Sequence, residues 1–77
     1  MTVKVKLFSN LKKFAPKASG RVFDIEVEDG ATVDAVAVEL GIENVAAVIT
    51  VNEAETHRAK KLSSGDVLAF YPPLAGG

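Results

Sequence analysis

The sequence predicts a small α+β domain, a mixed sheet of four to five strands crossed by a single helix. Three observations carry that expectation. Two apolar–charged alternations open the chain, one stretch with helical spacing follows, and apolar runs divided by turn residues complete it. At 77 residues there is room for one domain, near the lower limit of what hydrophobic burial alone stabilises.

Val3-Lys4-Val5-Lys6-Leu7-Phe8 has the period-two pattern of a half-buried strand. Val3, Val5 and Leu7 face a core; Lys4, Lys6 and Phe8 share the outer side. Residues 9–20 form a polar connection holding Leu11 and Phe14, read as one helical turn closed off before Pro16. Residues 21–28 alternate again, with Phe23, Ile25 and Val27 inward, so the two strands form a hairpin with a long loop. Asp29-Gly30 supplies turn chemistry, and Thr32 is a suitable helix N-cap. Val33, Val36, Ala37 and Leu40 then make one apolar helical face, which Gly41 closes as a left-handed cap. The β-branched residues there weaken intrinsic helix propensity, so packing onto the sheet must hold the helix.

Val48-Ile49-Thr50-Val51 reads as a third strand running into a turn at Asn52-Glu53, with Thr56–Arg58 as a short edge strand. Ser63-Ser64-Gly65-Asp66 is a tight turn before Val67–Tyr71, the last strand. That strand is apolar throughout, which suits a central position covered on both faces or an outer face that meets a partner. The order of elements describes a β-grasp layout, in which the first and last strands lie parallel and adjacent. The domain is read as residues 1–71, with residues 72–77 as a flexible tail beside the end of the first strand.

Composition narrows the function. A net charge of −1 gives no electrostatic drive toward nucleic acid or an anionic membrane. Lys4, Lys6, Lys12, Lys13 and Lys17 gather near the amino end, either as a small positive face or, in the simpler reading, as a solvated strand edge and loop. With no cysteine, the chain has no disulfide, thiolate nucleophile or cysteine-based metal site. Lys4 and Lys6 break up the first apolar residues, so no secretory signal is expected, and the expected location is cytoplasmic. No P-loop pattern is present. His57 stands alone and reads as a surface turn residue, and Asp24, Glu26 and Glu28 read as a solvated face. No bound cofactor or metal is expected.

The sequence ends Tyr71-Pro72-Pro73-Leu74-Ala75-Gly76-Gly77. Two prolines can neither continue a helix nor donate to a sheet ladder, so they direct the chain out of the fold as an extended arm. Six residues of such chain reach about 15–20 Å. Two glycines without Cβ atoms suit a narrow tunnel. Together they make a device for placing a carboxylate in the active site of another protein.

The closing run from Leu62 to Gly77, with its Gly65-Asp66, strand, Pro72-Pro73 and Gly76-Gly77, resembles the ubiquitin-like sulfur carriers. More narrowly it resembles the small subunit of molybdopterin synthase. Residues 3–11, 32–41 and Val51-Asn52 are similar to that family's first strand, helix and third-strand turn. The double proline favours this branch over the thiamine-pathway carriers. The resemblance implies a carrier rather than a catalyst: an E1-like adenylating enzyme uses ATP to activate Gly77, and sulfur replaces AMP to give a thiocarboxylate. It also implies a large-subunit partner, in a heterotetramer, into which the tail with Gly76 is threaded. Pro72, Pro73, Leu74, Ala75 and Tyr71 are the expected partner contacts, joined by Phe8 through its outward parity. For Phe8, closing the end of the core is an equal alternative. The same tail serves sulfur transfer to thiamine thiazole or cysteine biosynthesis, and also a modifier that joins Gly77 to target lysines.

Overall fold

The computed structural model describes residues 1–73. Five strands, β1 (Thr2–Leu7), β2 (Val22–Glu26), β3 (Val48–Val51), β4 (Ala54–Thr56) and β5 (Val67–Tyr71), form one sheet in the order β2-β1-β5-β3-β4. One helix, α1 (Val33–Leu40), lies between β2 and β3 in sequence, and a 3-10 segment, Ser9–Phe14, follows β1. The β1–β5 pair is parallel and every other pair antiparallel. This is the expected β-grasp, with the first and last strands side by side at its centre.

Strand parity builds the core. Val3, Val5 and Leu7 from β1 meet Leu68 and Phe70 from β5 and Ile49 and Val51 from β3, all buried. Val33, Val36 and Ala37 cover them from α1, and Leu11, Ile42 and Leu62 close the edges. Phe70 and Leu7, in register across the parallel pair, are the largest fully buried side chains.

Both ends of α1 are fixed as its sequence requires. Thr32 Oγ1 accepts a hydrogen bond from the Ala35 amide at 3.2 Å. Gly41 adopts φ +82°. There its amide donates to the Val38 carbonyl, while the Ile42 amide donates to that of Ala37 at 2.9 Å. Those paired bonds are a Schellman ending, and the buried Ile42 and Ala37 supply its hydrophobic contact.

The structure corrects three details. The short edge strand is Ala54–Thr56, not Thr56–Arg58. Asn52 and Glu53 both take positive φ, which closes the β3–β4 hairpin in two residues and sets Ala54 opposite Val51. Arg58, displaced from the sheet, instead donates to the Val45 carbonyl at 2.8 Å. At the other edge, β2 spans Val22–Glu26, shorter than the alternation over residues 21–28, although Val27 still exchanges backbone bonds with Met1 at 2.8 and 2.7 Å. Finally, the turn expected around Leu11 is a full six-residue 3-10 segment that buries Leu11.

Candidate docking surface at the carboxyl-terminal exit

Because β1 and β5 are parallel, their carboxyl ends emerge together. The Phe8 amide extends the pairing by donating to the Phe70 carbonyl at 3.1 Å. Tyr71 and Phe8 then stand next to each other on the sheet face away from α1. Their rings stack with centroids 4.3 Å apart and planes 6° from parallel. Phe8 therefore lies on the outer side and does not close the core. Ser9, at φ +53°, turns the chain away immediately after it.

The stack is part of a wider apolar patch. Tyr71 is 36% exposed, and its register partner on β3, Val48, is 37% exposed. Across β1, opposite Lys6, Val22 is 49% exposed. Among the described residues, three of the four exposed large hydrophobic side chains thus lie on one sheet face toward one end. Ala69 shares that face yet is only 4% exposed. Its neighbours in register are Lys6 on β1 and Thr50 on β3, both with longer side chains. The open surface is consequently concentrated at the end where the tail leaves.

Pro72 is half-buried and Pro73 exposed. Leu74, Ala75, Gly76 and Gly77, the rest of the expected site, lie outside the described residues. Sequence reasoning found Phe8 and Tyr71 but missed Val48 and Val22. The outward parity of Val22 was readable from the inward Phe23 and Ile25. Val48 joins the patch only through the β3–β5 register, which a single sequence does not display.

Little else has chemical potential. Among the described residues no cluster of three or more His, Asp or Glu side chains is arranged to hold a metal ion. His57 is exposed, and its Nδ1 accepts from the Ala59 amide at 3.2 Å, a local turn contact. Asp24 pairs with Lys4 at 3.4 Å, and Glu26 accepts from the Thr2 hydroxyl. These carboxylates belong to cross-strand pairs of the outer face, as their alternation suggested. No helix of the described residues is long and apolar enough to cross a membrane.

A family model described as the ThiS family matches residues 5–77. The chain belongs to the ThiS family. That match takes in the β-grasp domain and the Gly76-Gly77 tail alike. Among solved structures, this ThiS-family chain is similar to SAMP1 from Haloferax volcanii, with 23% identity, full coverage of both chains and a TM-score of 0.75. It is also similar to a molybdopterin converting factor subunit 1 from Pyrococcus furiosus. There the identity is 24%, over 95% of this chain and 98% of the other, with a TM-score of 0.76. A third similar chain belongs to the complex of subunits 1 and 2 of molybdopterin-converting factor from Helicobacter pylori. It is 25% identical over the whole of both chains, with a TM-score of 0.62. None of the curated proteins matches the chain.

Proposed function

We propose that this protein is a sulfur carrier whose Gly77 carboxylate is converted to a thiocarboxylate, acting as the small subunit of a molybdopterin synthase. The observation that carries the reading is the family match running through Gly76-Gly77, on a fold whose apolar patch surrounds the tail exit. Likeness to a chain from the Helicobacter pylori complex of subunits 1 and 2 supports a large-subunit partner.

A free carboxylate resists nucleophiles because its charge is delocalised and oxide is a poor leaving group. In the proposed sequence a Gly77 oxygen attacks the α-phosphorus of ATP on an E1-like enzyme and pyrophosphate leaves. Sulfide then adds to the acyl carbon of the adenylate and AMP departs, giving Gly77–C(O)S⁻ and one proton. Threaded into the large subunit, the thiocarboxylate sulfur attacks the pterin precursor, and hydrolysis returns the carboxylate. Two carriers, or two rounds, supply one dithiolene. The chain's own part is positional: the Phe8–Tyr71 patch docks, Pro72-Pro73 stiffens the departure, and the glycines fit a passage too narrow for a Cβ. Partners hold the ATP and the acid–base groups.

Replacing Gly77 by Trp tests this. The variant should melt as the native chain does and yield no thiocarboxylate and no dithiolene when combined with the synthase large subunit. Normal turnover with the variant would refute the proposal.

A further inference from the structure

The near-zero net charge conceals a local concentration of positive charge that coincides with the tail exit. Residues 8–21 hold Lys12, Lys13, Lys17 and Arg21 and no carboxylate, whereas the chain as a whole has slightly more acidic than basic residues. All four side chains are exposed. The ion pairs among the described residues use Lys4, Arg58 and the amino end, and none of these four. Backbone bonds hold the segment against the docking patch. The Leu11 amide donates to the Phe8 carbonyl at 3.1 Å, and the Leu7 amide to that of Arg21 at 2.9 Å. The Arg21 guanidinium donates to the Ser9 carbonyl at 3.1 Å. The basic arch therefore begins and ends beside Phe8. At the opposite end of β1, a groove is lined by Glu26 at the end of β2, Glu28 and Asp29 in the turn that follows, and Glu39 in α1, with the amino-terminal ammonium 3.6 Å from Asp29.

We infer that this basic arch is a second element of the docking surface, facing a carboxylate-rich rim on the adenylating enzyme beside the pocket that receives the Phe8–Tyr71 stack. The inference rests on the carrier reading. It commits to the adenylating enzyme because activation is the one step common to every destination of the sulfur. Opposite charges flanking an apolar pocket steer encounter and fix orientation, and their effect declines as salt screens them. Here they would turn the tail end of the chain toward the enzyme before contact.

The test is ATP–pyrophosphate exchange by the purified adenylating enzyme encoded in the same genome, with the chain as varied substrate. Two triple variants are compared with the native chain: Lys12→Glu, Lys13→Glu, Lys17→Glu, and the corresponding Gln substitutions. Arg21 is left in place because it holds the Ser9 carbonyl. The Glu variant should raise KM by about tenfold or more and the Gln variant by less, with kcat within about twofold of native. Raising salt from about 50 to 300 mM should increase the native KM and leave the Gln variant nearly unaffected. Native KM and native salt dependence in both variants, with Tyr71→Ala impaired, would overturn the arch and leave the carrier reading standing. The same result with salt-sensitive binding of an RNA oligomer would reassign the arch to nucleic acid. Absence of exchange with the native chain would overturn the carrier reading itself.

Discussion

Phe70 and Tyr71 are neighbours in sequence that point to opposite faces of β5, and their substitutions should have opposite consequences. Phe70 is wholly buried in register with Leu7. Phe70→Ala should cost about 3–5 kcal/mol. For a chain of this size the whole stability is about 4–12 kcal/mol, so the loss is a large fraction of it and the denaturation midpoint should fall sharply. Tyr71 contributes mainly its stack on Phe8. Tyr71→Ala should lose no more than about 1.5 kcal/mol of stability, yet weaken association with the synthase large subunit by about tenfold or more. Calorimetric titration and a denaturant melt on the same sample separate the two effects. A large stability loss would instead make Tyr71 a structural residue. Because β5 is apolar throughout, its composition does not mark the two faces; strand parity does, with Leu68 and Phe70 inward and Tyr71 outward, while Ala69 on the outer side is nonetheless buried.

At the scale of elements, α1 was legible because its apolar face and both of its end signals agreed, against the weak propensity of its valines. An apolar face, a Thr32 cap and a Gly41 ending all marked the same eight residues, and the structure uses each of them. Since β-branched residues make this helix weak on its own, its caps should matter. Thr32→Ala is expected to cost about 1 kcal/mol in a thermal or urea melt, within a range of about 0.5–2. A loss below that range would mean that the bridge from Thr32 to Lys61 and packing alone hold the helix start. The edge strand was misplaced by two residues for a comparable physical reason. A two-residue turn with positive φ usually announces itself by glycine, and here Glu53 occupies the position at φ +72°. The turn itself was read at Asn52-Glu53, but without a glycine there the sequence favoured a longer connection before the returning strand. The 3-10 segment was also understated, because its anchor is the single buried Leu11 rather than a periodic face.

For the whole molecule, topology is what gives the tail its meaning. Parallel pairing of β1 with β5 brings Phe8 to Tyr71, so the aromatic stack, the apolar patch and the departing prolines fall at one end. The basic arch lies there too, and the acidic groove lies at the other end of β1. The sequence disclosed the fold and the aromatic pair through alternation, and the tail through Pro72-Pro73 and Gly76-Gly77. The gathering of basic residues near the amino end was legible, but its place beside the tail exit was not, since that depends on the backbone bonds that hold residues 8–21 against β1 and β5. The central claim is chemical, that Gly77 carries sulfur. It is tested most directly by the intact mass of the chain after incubation with an E1-like adenylating enzyme, sulfide and ATP, against a sample without ATP. An ATP-dependent increase equal to one oxygen replaced by sulfur, localised to Gly77, is the predicted result. An unchanged mass, under conditions that thiolate a known carrier, would contradict the account.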